Sequence, residues 1–237
     1  DGRVKILDTV KEQENIRPQG QDLVCGQRIL QQGERLNAAA IGLLATIGKP
    51  TVHVYQPLKV AFFSTGDELI EAGTPLAIGQ IYNSNRSLIH SLLVSMGFIA
   101  IDGGVIADNL PATLAAFKQA AESADVIIST GGVSVGEEDY VKTALQSMGN
   151  IDFWKIAIKP GKPLAVGSIG NSRFFGLPGN PVSCWVTFML MVQPYLLRCM
   201  GASQPLPTSL LAQADFSRTK TDAQRVEFVR ATIHLSA

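Results

Sequence analysis

Cysteine is scarce in this 237-residue chain: Cys25, Cys184 and Cys199 stand far apart, with no C-x-x-C spacing. That argues against a disulfide framework and a zinc site, and it predicts a reduced, cytoplasmic setting. Histidine is as rare. His53, His90 and His234 are scattered, so no serine–histidine–carboxylate or cysteine–histidine arrangement can be built, and any chemistry has to be electrostatic rather than nucleophilic. Net charge is also lacking, with 20 basic against 20 acidic residues. Nothing in that balance draws the chain to nucleic acid or to a membrane surface, and neither is expected as a partner. No apolar run reaches the roughly 20 residues that span a bilayer. The longest, Val182 to Met200, carries Gln193, Pro194 and Arg198 and is predicted to be a buried helix interrupted near the proline. No signal-peptide pattern is present. An initiating methionine is missing too, and the chain stops inside a β-like segment at Ile233-His234-Leu235, so a piece of a longer protein is expected.

What is present is 46% hydrophobic residues, enough to bury a sizeable core in one or two domains. The pattern is organised around Asp125 to Asp139, D-V-I-I-S-T-G-G-V-S-V-G-E-E-D, where a β-branched run stops at paired glycines. Open α/β sheets use this arrangement to bring backbone N–H groups against an anion at the carboxyl ends of strands, although the same glycines also serve ordinary tight turns. A relative of the motif occurs earlier, at Val60 to Leu69, V-A-F-F-S-T-G-D-E-L.

From Leu58 onward strands alternate with helices of about ten residues. Strands are predicted at Lys59–Ser64, Ile99–Ile106, Val126–Ser129 and Phe153–Ile158. Helices are predicted near Ser84–Met96, Leu110–Ser123 and Glu138–Met148. This predicts an α/β domain over 58–201, a three-layer, mostly parallel sheet, with the loops Thr65–Glu68, Asp108–Asn109 and Thr130–Asp139 brought together. Residues 1–57 read as part of a small β-rich domain with strands near Val4–Val10 and Val52–Tyr55 and one helix, Asn37–Ile47, with Asn37 as its cap. Arg17 and Asp22, in a turn, are expected to pair with each other or with water. After the linker Gln204–Pro207, strands are predicted at Leu210–Phe216 and Val226–Ile233, an incomplete C-terminal β domain over 202–237.

Carboxylates gather at the strand ends: Asp67, Glu68, Asp108, Glu137, Glu138 and Asp139. Facing one pocket, they would repel one another unless a hard cation such as Mg2+ bound there; as helix caps, they would simply complement the macrodipole. Both roles can coexist. Lys155, Lys159 and Lys162 lie around K-P-G-K-P, where prolines and a glycine fix the backbone, and they suit an oxyanion unless merely solvated. In L-P-G-N-P-V-S, Pro181 can open a helix while Asn180 and Ser183 offer hydrogen bonds at its positive end, either as a capped start or as a second anion cradle.

Taken in order, S-T-G-D-E-L at Ser64–Leu69, G-G-V-S-V-G-E-E-D-Y at Gly131–Tyr140, K-P-G-K-P at Lys159–Pro163 and L-P-G-N-P-V-S at Leu177–Ser183 resemble the molybdopterin molybdenumtransferase family, MoeA and the gephyrin E domain. N-I-R-P-Q-G-Q-D at Asn15–Asp22 and R-V-E-F-V-R at Arg225–Arg230 fit the same family. The resemblance implies an enzyme that takes adenylylated molybdopterin and molybdate, hydrolyses the adenylate with magnesium and releases AMP as molybdenum cofactor forms. It implies Glu68, Asp108 and Asp139 as the acidic residues for metal and adenylate chemistry. It places substrate around Ser64, Thr65, Gly66 and Asp67, and the pterin-linked phosphate on Gly131, Gly132 and Ser134. Lys155, Lys159, Lys162 and Ser183 would handle phosphate or molybdate, Arg225 would reach towards molybdate, and Pro178, Asn180 and Pro181 would shape the pocket. It further implies a homodimer, with the pterin adenylyltransferase and molybdoenzymes as partners. The rival functions are pterin adenylyltransfer itself and a non-catalytic scaffold.

Overall fold

The computed structural model describes residues 2–7, 9, 11–133, 140–217, 222 and 224–234. It divides into two compact units, residues 1–52 and 53–237.

The first unit holds one helix, α1 (Ala38–Thr46). Asn37 caps it as expected, its Oδ1 accepting from the Ala40 N–H at 2.9 Å. Arg17 and Asp22 also pair as expected, Nη1 to Oδ2 at 3.0 Å. The strands predicted at Val4–Val10 and Val52–Tyr55 do not form among the described residues. Alternation marks a segment that can extend, but a strand exists only where a second backbone edge pairs with it, and Val4 and Leu7 stay exposed.

In the second unit the elements run in order as β1 (Lys59–Thr65), β2 (Leu69–Ile70), β3 (Ile81–Tyr82), α2 (Ser84–Ser95), β4 (Ile99–Ile106), α3 (Leu110–Ser123), β5 (Val126–Thr130) and α4 (Tyr140–Met148). Then follow β6 (Gly149–Lys155), β7 (Ile158–Lys159), β8 (Pro163–Ile169), β9 (Ser172–Leu177), α5 (Pro181–Thr187), a π-helical turn (Phe188–Val192), α6 (Gln193–Cys199) and β10 (Val226–Glu227). The main sheet has the order β4-β1-β5-β9-β8-β6. Its first three pairings are parallel, and β9–β8 and β8–β6 are antiparallel. The expected alternation of strand and helix therefore stops after α4. Strand β6 spans Gly149–Lys155 rather than Phe153–Ile158, and Gly170-Asn171 turns β8 back on β9 as a two-residue hairpin.

Strand β1 shows why the domain has three layers. Val60 and Phe62 point to one face, into a core with Ile89 and Leu93 of α2 and Cys184, Phe188 and Leu196 of the last helix. Ala61 and Phe63 point to the other, against Phe117 of α3 and Ala144 and Leu145 of α4. A strand apolar on both faces needs helices on both. The continuous helix Pro181–Cys199 is long and apolar enough to cross a membrane by length and composition alone. Here it lays Cys184, Phe188, Val192 and Leu196, all fully buried, on the sheet. The predicted interruption at Pro194 is a π turn just before it, where the wider turn accommodates the missing N–H.

Burial without a cationic neighbour pushes the Cys184 thiol up to about 12 from its ordinary 9.0. A raised pKa stabilises the fold fully below the unfolded value, and that contribution is lost as pH rises from about 9 towards about 12. Two thiols, the exposed Cys25 and Cys199, are expected to react promptly with an aromatic disulfide reagent at pH 8, and Cys184 only in denaturant. Prompt reaction of all three would contradict the packing of α5 on the sheet.

Beyond α6, no strand forms at 210–216, and only Val226–Glu227 of the second predicted strand pairs, in parallel, with β7. The R-V-E-F-V-R segment is thereby stitched to K-P-G-K-P by the Val226 N–H to Ala157 O and the Phe228 N–H to Lys159 O.

Candidate functional site

Strands β4, β1, β5 and β9 are mutually parallel, so their carboxyl ends share one edge of the sheet. The chain leaves β1 for α2 on one face and leaves β5 for α4 on the other. Adjacent strands whose connections diverge open a crevice between them. A cavity of about 710 Å³ lies there.

Its floor is made by the matching ends of β1 and β5. Ser64 and Thr130 stand opposite each other in register, and their hydroxyls hydrogen-bond at 3.0 Å. Ser64 also donates to Asn83 Oδ1 at 3.1 Å, which ties both strands to the cap of α2. Ser64 is fully buried and structural. Thr65, Gly66 and Glu68 line the cavity from β1, and Thr130, Gly131 and Gly132 from β5. The paired glycines are required by space as well as by conformation. Gly131 has φ +87°, and a Cβ there would sit 2.6 Å from the Thr65 carbonyl oxygen. At Gly132, φ +63°, it would meet Val141 Cγ2 at 2.6 Å and Thr65 Oγ1 at 2.8 Å. Gly66 has φ +138°, and the Glu68 carboxylate folds over its open face, within 2.6 Å of where a Cβ would be. A side chain would displace the Thr65 carbonyl at Gly131, the Val141 and Thr65 side chains at Gly132 and the Glu68 carboxylate at Gly66.

Asp108 also lines the cavity, from the turn before α3. The capping alternative for it is removed, because Asn109 caps α3 with Oδ1 accepting from the Ala112 N–H at 2.9 Å. Asp67 does not line the cavity. Its Oδ1 accepts from the Asp108 N–H at 3.1 Å and so joins the two acidic turns. Pro178, Asn180, Pro181 and Ser183 line the wall from the β9–α5 turn. The capped-start reading of that turn holds, with Asn180 Oδ1 accepting from the Ser183 N–H at 3.1 Å, and Asn180 also lines the cavity.

The lysines are placed elsewhere. Lys155, Lys159 and Lys162 do not line the cavity, although Pro163, next to Lys162, does. Lys159 Nζ is paired with Glu227 Oε1 at 2.9 Å. Arg225 is tied to Asp222, whose carboxyl is held below its ordinary range by the Gln224 N–H first and by Arg225 second. Asp139 and Ser134, with Glu137 and Glu138, lie outside the described residues. Among the described residues no three metal-ligating side chains cluster.

Sequence reasoning missed Asn85, Gly179 and the apolar rim of Leu69 and Ile81. Arg86 steadies that rim: it binds Glu71 Oε1, just after β2, at 2.7 Å and Asp102 Oδ2 of β4 at 2.8 Å. The two carboxylates, Glu71 first, raise its guanidinium pKa above the ordinary value.

These features define an α/β domain with a glycine-lined crevice at the switch point of its sheet. Residues 61–198 match the family described as probable molybdopterin binding domain, and the chain belongs to it; residues 1–48 match the MoeA N-terminal region (domain I and II). The chain is 46% identical over 204 residues to a molybdopterin molybdenumtransferase of Haemophilus influenzae, a match covering 86% of this chain and 50% of that protein. It is 36% identical over 237 residues to the molybdopterin molybdenumtransferase of a Nostoc species, covering 98% of this chain and 54% of that one. The solved structure of the molybdopterin biosynthesis MoeA protein from Pyrococcus horikosii superposes with a TM-score of 0.70 at 35% identity, over 77% of this chain and 45% of that chain. The motif-based resemblance is borne out. The chain spans about half the length of the curated relatives it matches.

Proposed function

We propose that this chain is the substrate-binding portion of a molybdopterin molybdenumtransferase, acting in molybdenum cofactor biosynthesis in the cytoplasm. Residues 58–201 form its pterin-binding domain, 1–57 part of a second domain and 202–237 part of a C-terminal β domain. The observation that carries this reading is the crevice between β1 and β5, where three glycines leave room for close backbone approach and two carboxylates stand at the same cavity.

The backbone of Gly131 and Gly132 receives the phosphate of adenylylated molybdopterin, with Thr65 and Gly66 opposite and Pro178 and Pro181 shaping the wall. Glu68 and Asp108 are hard oxygen donors on one cavity and fit Mg2+, with Asp139 as the third ligand from the family motif. There the ion would offset negative charge on the phosphates. Water adds to the adenylyl phosphorus as the bond to the bridging oxygen breaks, giving AMP and molybdopterin, which keeps its own phosphate. The dithiolene sulfurs then take molybdate as substrate, with Ser183 on the cavity and Lys155, Lys159, Lys162 and Arg225 attracting the oxyanion from outside it. Two copies act as a homodimer, receiving substrate from the pterin adenylyltransferase and passing cofactor to molybdoenzymes.

The protein, incubated with adenylylated molybdopterin, Mg2+ and molybdate, is expected to release AMP as molybdenum cofactor appears. Adenylylation of pterin from ATP would replace this reading by the adenylyltransferase one. Absence of both reactions and of ligand binding would replace it by a scaffold role.

A further inference from the structure

Two asparagines flank Ser84 at the start of α2, and only one is needed there. Asn83 does the capping, its Oδ1 accepting from the Arg86 N–H at 3.1 Å. Asn85 lines the cavity, is 7% exposed, and reaches across to the opposite wall, where Nδ2 donates to the Gly179 carbonyl oxygen at 2.8 Å. That bond fixes the amide's orientation, because the flipped form would set oxygen against oxygen. The Asn85 Oδ1 is consequently a buried acceptor without a hydrogen-bond partner, as is the buried Thr65 Oγ1 on the same cavity.

The geometry points to Asn85 as a specificity residue that accepts a hydrogen bond from an N–H on the edge of a bound amino-heterocycle, while its nitrogen holds the Gly179 turn in place. This rests on the cavity's being the pterin-nucleotide site. A phosphate cannot satisfy Oδ1, since both are acceptors, so the anion is left to the glycine backbone and the Asn85 end is reserved for a donor. The cavity, about 710 Å³, has room for an organic ligand rather than for phosphate alone. Leu69, Ile81, Val133 and Pro163 offer apolar surface to the faces of a ring.

Both heterocycles of the substrate carry an amino group, so two ligand pairs separate the sources. AMP is compared with purine riboside 5′-monophosphate, which lacks the 6-amino group, and pterin with pteridin-4-one, which lacks the 2-amino group. By titration calorimetry the protein is expected to prefer the amino-bearing member of one pair about tenfold, the scale of one buried hydrogen bond. Asn85→Ala should abolish that preference. Asn85→Leu, closer in volume, replaces alanine if circular dichroism shows the alanine variant unfolded. Loss of the preference for AMP assigns the donor to adenine, and loss for pterin assigns it to the pterin. A purely structural Asn85 would weaken both members equally. A preference absent from the wild type in both pairs, or surviving Asn85→Ala or Asn85→Leu in a folded variant, overturns the inference and leaves the proposed function standing. A wild type that binds none of the four ligands overturns both.

Discussion

Phe117→Ala is expected to lower unfolding free energy by about 3–5 kcal/mol, the usual cost of deleting a buried aromatic ring from a core. Phe117 is fully buried on α3 and packs between two rings of the sheet, Phe174 at 5.1 Å and Phe63 at 6.3 Å between centroids, both tilted. The cost has two parts, the apolar area returned to water on unfolding no longer being a driving force, and the void left between β1 and β9, which lie two strands apart with β5 between them. Those strands cannot move together to fill it, because each is fixed in the hydrogen-bonded ladder. Urea denaturation followed by circular dichroism measures the change. Val94→Ala on the exposed side of α2 serves as the comparison and is expected to stay within about 0.5 kcal/mol. A loss below about 1 kcal/mol for Phe117→Ala would mean that α3 does not seat on the sheet as described.

The same packing explains which parts of the fold are legible in the sequence. Val60-Ala61-Phe62-Phe63 and Val126-Ile127-Ile128 are apolar at every position, which only a strand covered on both faces can accommodate, so the central layer and its flanking helices follow directly. The antiparallel half is also written, in the Gly170-Asn171 pair between two apolar runs, but it interrupts an alternation of strand and helix that otherwise continues smoothly. The strands expected at 4–10, 52–55 and 210–216 are a different case. Their composition suits extended backbone, and pairing depends on an edge supplied from elsewhere, which no local pattern encodes. At the site, the glycine pairs and the carboxylates announce themselves because special backbone and charge are local properties. Asn85 is hidden by Asn83, since a helix start rich in Asn and Ser is fully accounted for by capping. Its contact to Gly179 spans 94 residues and is visible only in three dimensions. The lysines around K-P-G-K-P show the limit of spacing as a guide, because it does not decide which wall a side chain faces: none of the three lines the crevice, and Lys159 pairs with Glu227.

Glu68→Gln and Asp108→Asn are each expected to reduce AMP release by at least about 100-fold, while neither changes the urea midpoint appreciably. The reasoning separates charge from shape. Each substitution keeps the side-chain outline and one oxygen, so the fold over Gly66 and the turn before α3 survive, and only the negative charge is removed. Loss of charge matters if the carboxylates hold a cation against phosphate, since an amide oxygen is a much poorer ligand for a hard ion. A split between the two kinetic constants locates the effect: a fall in kcat at unchanged KM for substrate places the charge in the transition state, and a rise in KM alone places it in binding. Partial recovery at raised Mg2+ concentration should accompany a ligand role, because weakened affinity is overcome by mass action. Asp67→Asn provides the internal contrast. Asp67 receives the Asp108 N–H and does not reach the cavity, and the amide that replaces it still offers an acceptor oxygen, so its activity should remain within a few-fold of the wild type. Equal loss in all three variants would show that the acidic turns act through their geometry, and the metal assignment of Glu68 and Asp108 would fall.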